Sequence, residues 1–348
     1  MPFTAQELAN AANALLDYNI KGPALAQTIQ DKPLLKALKS KQKSFPGGKD
    51  YITAPVKGDY TTTIQGFSHD DTVTYQNPAN LKRVQYPWYE IHGGISCTLS
   101  ELKKDGISIV DSLNGADTSE HSEREMVVLT GLLQDKIDDM TEGFARGMNT
   151  MLWRDGTQDS KQVPGVLSIV VDNPTTATVG GLSGATLTWW RNRALVGSSK
   201  ITSSVSNGGA LVQAIQKEYR QLRRYGGNPD IWLAGSSFID ALETELRANG
   251  NYSMDGFTST GKTDFGMADI KFKGKSIVYD PTLDDLGYQK RMYVLDSKHL
   301  YLDVMDGEDM KTHNPARPAE KYVMYRAMTW TGGLVCDQRN CHGVYEIA

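Results

Sequence analysis

Several features that mark whole classes of protein are missing from this sequence. Its 348 residues include only three cysteines, Cys97, Cys336 and Cys341, too few and too odd in number for the disulfide framework of a secreted domain. No apolar run approaches the ~18 residues of a membrane helix, and the N-terminus lacks the pattern of a signal peptide. We therefore expect a chain that stays in the cytosol, keeps reduced thiols and has no membrane partner.

Neither sign of charge dominates the sequence. The net charge is −4, with 22% charged and 39% hydrophobic residues, as in an ordinary globular protein. This mild acidity argues against a dedicated nucleic-acid binder. One local exception is the segment 31–49, which holds six lysines against one acid, Asp31. A solvated helix face is the favoured interpretation, and contact with phosphates is the alternative.

Catalytic motifs are also scarce, because the six histidines are scattered and no G-x-S-x-G elbow, H-E-x-x-H pair or glycine-rich dinucleotide turn occurs. The segment Gly256–Thr263 does match the phosphate-binding pattern G-x-x-x-x-G-K-[ST]. In such a loop Lys262 would contact the β- and γ-phosphates, Thr263 would bind magnesium, and Asp296 could be the second acid. The flanking residues lack the strand before and the helix after that this loop needs. We predict a surface loop, no enzyme and no cofactor, with a P-loop NTPase as the alternative.

A second candidate site is a set of potential zinc ligands. Cys336, Cys341 and His342 follow each other closely, and Cys97 could come from an adjacent strand. The spacing C-x-x-x-x-C-H is not that of a standard zinc finger, and cysteines flanking a turn are more often packing residues. We predict no metal, and a metal-stabilised binding module stays open as a third class.

What the sequence does have is one long amphipathic helix signal over residues 119–153, which corresponds to a rod of roughly 50 Å. Apolar residues recur every three or four positions, and charged residues occupy the opposite face. A coiled coil is disfavoured because the stripe repeats every eleven residues rather than seven. The stripe that we expect to pack against a sheet is Met126, Leu129, Leu133, Ile137, Met140, Phe144, Met148 and Met151.

Other segments surround this helix in a recognisable order. Residues 51–85 are predicted to form a polar β-ribbon, with strands at 60–64 and 72–75 around a turn. This ribbon has little to bury alone, so it should lie against another surface, either of its own chain or of a neighbouring subunit. Residues 321–347 predict a long hairpin around Gly332 and Gly333. A compact α/β unit lies between, with helices at 211–222 and 237–248 and strands at 231–234, 270–272, 276–279, 291–295 and 300–304.

Taken in order, these segments resemble the major capsid proteins of tailed bacteriophages. The resemblance covers nearly the whole chain from about Tyr51. It rests on the polar hairpin, the long helix and five short motifs: Pro164-Gly165-Val166-Leu167, Asn173-Pro174-Thr175, Trp189-Trp190-Arg191-Asn192, Pro229-Asp230-Ile231-Trp232-Leu233 and Tyr325-Arg326-Ala327-Met328-Thr329-Trp330 ahead of Leu334-Val335-Cys336.

The resemblance implies an α+β fold of the Hong Kong 97 type. It divides the chain into an N-terminal arm (1–50), an extended hairpin loop (51–85), a peripheral domain with the spine helix (86–175), an α/β axial domain (176–300) and a return to the peripheral domain (301–348). The long helix becomes the spine helix. The residues expected at the intersubunit tip of the hairpin are Gly66, Phe67, Ser68, His69, Asp70 and Asp71.

The resemblance also implies a function. The chain would be a structural protein of the virion that forms pentamers and hexamers, closes into an icosahedral shell in the host cytoplasm and encloses double-stranded DNA through non-specific contacts. A separate scaffolding protein and a portal are the expected partners. An encapsulin-like nanocompartment shell is a variant. Some relatives cross-link subunits; Lys57 or Lys82 with Asn340 are the positions to test, and we expect no bond.

Overall fold

A computed structural model describes residues 3–4, 32–58, 62–75, 80–104, 109–110, 123–206, 209–249, 270–313 and 323–348. The phosphate-loop motif Gly256–Thr263 and the predicted helix start at 119–122 lie outside these residues. The side chains of Met126, Leu129 and Leu133 lie outside the described part as well.

The described chain mixes helices and sheets, which confirms the expected α+β class. Its helices are α1 (Pro33–Lys39), α2 (Leu99–Lys104), α3 (Glu123–Trp153), α4 (Val166–Ile169), α5 (Ala210–Leu222), α6 (Ser236–Ala248) and α7 (Pro281–Asp285). Its strands are β1 (Phe3–Thr4), β2 (Lys43–Phe45), β3 (Tyr51–Lys57), β4 (Leu81–Pro87), β5 (Tyr89–Thr98), β6 (Ile109–Val110), β7 (Thr178–Val179), β8 (Leu182–Ser183), β9 (Arg193–Leu195), β10 (Ile231–Ala234), β11 (Lys271–Phe272), β12 (Lys275–Tyr279), β13 (Arg291–Leu295), β14 (Leu300–Met305), β15 (Lys311–His313), β16 (Val323–Cys336) and β17 (Gly343–Glu346).

The long strand β16 organises a five-stranded sheet. It pairs in antiparallel fashion with β5, β14 and β15, and β2 adds to β14 in parallel. The predicted hairpin around Gly332 and Gly333 is wrong, because both glycines lie inside this one strand. A Cβ atom at Gly332 would lie 2.6 Å from the carbonyl oxygen of Asp303, and one at Gly333 would lie 2.7 Å from that of Pro87. These glycines permit close backbone approach rather than a turn.

The long helix α3 lies against this sheet. Its 31 residues extend for about 46 Å. Ile137, Met140, Phe144 and Met148 are buried, and Met151 is half-buried. A Cβ atom on Gly93 of β5 would lie 2.7 Å from the Phe144 ring, so the helix and the sheet approach closely there.

The buried face of α3 is wider than the apolar stripe. Thr141, Ala145, Asn149, Leu152 and Trp153 are buried too. Near its C-terminal end the helix is covered by α1 and α7 as well as by the sheet. Two of these buried residues are polar, and hydrophobic periodicity alone therefore did not identify them.

A six-stranded mixed sheet forms the second part of the molecule, in the order β11-β12-β10-β13-β17-β9. Strands β10 and β13 coincide with the predicted 231–234 and 291–295. Alternate residues of this sheet belong to two hydrophobic clusters. Tyr293 and Val344 belong to the cluster that includes the buried residues of the long helix, whereas Val294 and Tyr345 belong to the cluster with α5 and α6. The two parts of the molecule therefore share this sheet.

The end of the chain differs from the predicted return of 301–348 to the peripheral sheet. Strand β17 pairs with β13 and β9 of the six-stranded sheet. Its side chains Val344 and Tyr345 are buried in different clusters, and this alternation requires a sheet with both faces covered.

The N-terminal segment combines a buried and a solvated side. Leu34, Leu35 and Leu38 of α1 are buried in the core, whereas the lysines of 32–49 are exposed or half-exposed. This distribution favours the solvated face over a dedicated phosphate site. Among the described helices, none combines the length and the apolar character that crossing a bilayer requires.

Candidate assembly surface

The projecting loop between β3 and β4 presents apolar side chains to solvent. Ile64 is 99% exposed, Tyr75 is 93% exposed and Phe67 is 67% exposed. Single exposed apolar residues are ordinary, but several on one loop form a surface suited to binding another protein. Within the described part of this chain they remain uncovered.

Local hydrogen bonds shape the tip of this loop. The backbone N–H of Asp71 donates to the carbonyl oxygen of Ser68 (3.0 Å), and the N–H of Ser68 donates to the Asp71 carboxylate (2.8 Å). The Thr74 hydroxyl donates to the Gln65 side-chain oxygen at 2.9 Å and thereby links the two limbs. The predicted tip residues are all exposed: Gly66, Phe67, Ser68, His69, Asp70 and Asp71.

The strands of the ribbon begin below this tip. Strands β3 and β4 pair from Tyr51↔Pro87 to Lys57↔Leu81. The predicted strands at 60–64 and 72–75 are therefore wrong for their described residues, 62–64 and 72–75, which carry no strand. The tip lacks a buried face, and β-prone sequence alone does not sustain a two-stranded ladder there.

The expectation that the ribbon has little to bury is also wrong at its base. Ile52, Ala54, Val56, Val84 and Tyr86 alternate towards the core and are buried. At least five side chains thus hold the ribbon to its own subunit by hydrophobic contact.

Polar contacts add to this attachment. The Tyr86 hydroxyl donates to the Cys336 carbonyl oxygen (3.1 Å), and burial raises the pKa of Tyr86. The N–H of Gln85 donates to the Gly180 carbonyl oxygen at 3.1 Å. Trp189 packs where the ribbon ends, since a Cβ atom on Gly58 would lie 2.8 Å from its ring. The base of the ribbon is therefore fixed to its own subunit, whereas the described residues of the tip are exposed.

A buried arginine holds the segments that carry the tryptophan motif. The guanidinium of Arg339 donates to the carbonyl oxygens of Ile169 (2.6 Å) and Trp190 (3.2 Å) and to the Asn192 side-chain oxygen (2.7 Å). Burial lowers the pKa of Arg339 to about 10. Sequence reasoning missed this residue, because its three acceptors come from distant segments.

A second polar junction connects α1, α3 and α7. Asn149 accepts from the Leu35 N–H (3.2 Å) and donates to the Thr282 hydroxyl (2.7 Å). The Trp153 indole donates to the Asp280 carboxylate (2.8 Å), which also accepts from the Thr282 N–H. The end of the long helix is thus fixed to the six-stranded part of the molecule.

The residue suggested as a second acid of a nucleotide site has a structural role. The Asp296 carboxylate accepts from the backbone N–H groups of Asn228 (2.7 Å) and Lys298 (3.0 Å). One carboxylate oxygen thus caps the turn after β13 and the other holds the distant segment at Asn228, and Asp296 is buried. Lys262 and Thr263, the other residues of the suggested nucleotide site, lie outside the described residues.

Of the suggested zinc ligands, the structure brings only Cys341 and His342 into contact among the described residues, with 3.5 Å between Sγ and Nε2. Along β16, Cys97 of β5 lies opposite Met324, whereas Cys336 follows twelve residues later, about 40 Å away. His342 is buried, accepts from the Asp296 N–H through Nδ1 (3.2 Å), and has its pKa lowered to about 3 by burial. Within the described residues no group of three or more His, Cys, Asp or Glu side chains could hold a metal.

The positions considered for cross-linking are on different parts of the molecule. Lys57 and Lys82 lie on the ribbon and are exposed. Asn340 lies in the short turn after β16, where its side-chain oxygen accepts from the Gln338 amide (2.9 Å). The absence of a cross-link stays a prediction.

Comparison with known proteins gives no match to a family model or to a curated sequence. Solved structures do match. A cyanophage A-1(L) capsid asymmetric unit shares 16% identity at a TM-score of 0.61, covering 90% of this chain and 92% of the other. A native GTA particle capsid shares 11% identity at 0.55, and a Mycobacterium phage Bobi structure shares 13% at 0.52, each covering 90% of both chains.

These likenesses extend over nearly the whole chain and concern the path of the backbone, since the identities are low. The chain therefore has the capsid-protein fold of the Hong Kong 97 type that its sequence resembles.

Proposed function

We propose that this chain is the major capsid protein of a tailed bacteriophage, a structural subunit without catalytic activity. The observation that carries the proposal is the projecting ribbon, whose base is packed on its own subunit and whose tip exposes Ile64, Phe67 and Tyr75. In a chain with a capsid fold, such a tip acquires its burial on a neighbouring subunit.

The proposed assembly is a closed icosahedral shell of pentamers and hexamers, built from one repeated chain. Symmetry lets many modest interfaces add together, so no single pair of subunits needs a strong contact. The shell would form in the host cytoplasm with a separate scaffolding protein, incorporate a portal and enclose double-stranded DNA. The mature chain would belong to the virion.

The direct test is to express the chain with and without a candidate scaffolding protein and to examine the products by electron microscopy and light scattering. We expect closed shells, or free pentamers and hexamers. A single small species under both conditions would contradict the proposal. Shells that enclose protein cargo rather than DNA would favour the nanocompartment variant.

A further inference from the structure

A basic cluster lies outside the ribbon, at the C-terminal end of α5 and the adjacent β11–β12 turn. Its members are the exposed side chains of Arg220, Arg223, Arg224 and Lys273. Together with Tyr219 they line an open surface depression of about 300 Å³.

The fold holds these four cations on one surface. Arg220 lies in the last turn of α5, Arg223 is the residue that caps its C-terminus, and Arg224 follows; all three line the same depression. Lys273 has a φ of +50° and Gly274 one of +81°, as a tight hairpin turn between β11 and β12 requires. The turn places the Lys273 ammonium 4.7 Å from the Tyr219 ring centre, and the Arg223 guanidinium lies 5.6 Å from the same ring.

The floor of the depression is itself well packed. The Tyr219 ring lies 5.3 Å from Phe272 and 6.0 Å from Trp232, measured between ring centres, and Tyr219 is buried. The cations therefore surround a fixed aromatic surface rather than a mobile loop.

The positive charge of the cluster is not neutralised within the described chain. The only acid of α5, Glu218, is buried and forms a two-pronged ion pair with Arg193 at 2.8 and 2.9 Å. No described carboxylate lies within ion-pair distance of the four cations. The helix C-terminus offsets part of their mutual repulsion. A chain with a net charge of −4 thus concentrates positive charge at one place.

We propose that this basic cluster binds the phosphates of a nucleic-acid backbone without reading the bases. Three of the four cations are arginines, whose planar guanidinium forms paired hydrogen bonds with phosphate oxygens. A small nucleotide fits less well, since small-ligand sites enclose most of the ligand surface and this depression is open. A protein partner would need an acidic surface that complements the four cations, and the test below distinguishes such a surface on a second copy from nucleic acid.

The identity of the ligand as packaged double-stranded DNA rests on the proposed shell function. The binding itself does not, because it can be measured on the full chain whether or not shells form. The lysine-rich segment 31–49 provides a matched comparison: Lys41 and Lys49 are exposed and belong to a different surface.

The test measures binding of the full chain to a fluorescent mixed-sequence DNA duplex by anisotropy at several salt concentrations. Four phosphate contacts predict that affinity falls about 100-fold when salt rises fourfold. Arg223→Gln with Arg224→Gln should remove about two contacts and reduce the fall to about 10-fold. Lys41→Gln with Lys49→Gln removes the same charge and should leave the salt dependence unchanged. Thermal unfolding checks that each variant is folded.

Two outcomes would overturn the proposal. One is that both double variants reduce the salt dependence of DNA affinity equally, which would mean that the net charge of the chain alone attracts DNA. The other is unchanged DNA binding by the Arg223 and Arg224 variant together with altered light scattering, which would assign the cluster to an acidic surface of a second copy. Electron microscopy of the same samples separates the proposals. If shells form but DNA binding does not depend on the basic cluster, only this inference is refuted. If DNA binding depends on the cluster but no shells form, only the proposed shell function is refuted.

Discussion

The two ends of the ribbon have similar β-prone sequences and opposite environments. At the base, β3 and β4 alternate buried and exposed residues, and Tyr86 reaches a backbone carbonyl of β16. At the tip, residues 62–75 expose their apolar side chains, and the described hydrogen bonds are local. This comparison shows that a β-prone segment forms paired strands only where one face of the ribbon packs against another surface. The base finds that partner in its own chain; the tip would find it in another copy.

The largest effect should come from breaking the contact between the long helix and the five-stranded sheet, against which the base of the ribbon packs. Phe144→Asp buries a carboxylate between α3 and Gly93 of β5, which should cost about 4 kcal/mol or more and leave insoluble protein. Gly147→Asp adds the same charge to the same helix at an exposed site where a Cβ atom meets nothing. The measurement is the soluble fraction and the midpoint of thermal unfolding. A soluble, assembling Phe144→Asp variant would contradict the packing of the long helix.

A matched pair of tyrosines compares base and tip directly. Tyr86→Ala should cost about 3 kcal/mol of unfolding free energy, because it removes a buried ring and a hydrogen bond. Tyr75→Ala, at a ring that is 93% exposed, should change that free energy by less than about 0.5 kcal/mol. Denaturant unfolding of both variants measures the difference. Equal losses would show that the tip packs on its own subunit.

The pH dependence of stability should reveal the buried His342 near the base. Its native pKa of about 3 lies below the unfolded value of 6.5, so the unfolded chain binds the extra proton and stability falls as pH drops between those values. Between pH 6.5 and 4.5 this single group should cost about 2 to 3 kcal/mol. His342→Gln should flatten that part of the curve in urea unfolding at several pH values. An unchanged slope would mean that other groups dominate.

The smallest effect on folding should come from the tip itself. Removing Gly66–Asp71 should leave the unfolding free energy nearly unchanged but prevent normal assembly, because the exposed loop contributes little to its own subunit. Replacing Ile64, Phe67 and Tyr75 by serine keeps the loop length and should have the same consequence. Circular dichroism and electron microscopy of both variants provide the test. Normal shells from either would refute the role of the tip in assembly.

The sequence-based predictions agreed best with the structure where a local apolar pattern packs against a single surface of the core. The buried part of the long helix stripe follows hydrophobic periodicity, and the strands 231–234 and 291–295 are short continuous apolar runs; both patterns are local properties. Agreement was poorest at glycines and turns. Gly332 and Gly333 predicted a hairpin, whereas they admit a neighbouring backbone within a strand.

Polar residues were the other source of error. Asn149 and Arg339 are fully buried, yet their hydrogen bonds join segments more than a hundred residues apart. The basic cluster was missed for a similar reason. Lys273 reaches Tyr219 only because β11 and β12 bring their turn beside the end of α5.

Through its resemblance to capsid proteins the sequence indicated the α+β class. By itself it determined the long amphipathic helix and the main strands of the six-stranded sheet. These depend on composition and on periodicity over ten to thirty neighbouring residues. Only the tertiary structure decided where the ribbon is paired, that β17 joins the six-stranded sheet, which polar groups are buried and which cations cluster. Each of these depends on contacts between distant segments, and such contacts are fixed by packing the chain rather than by any local pattern.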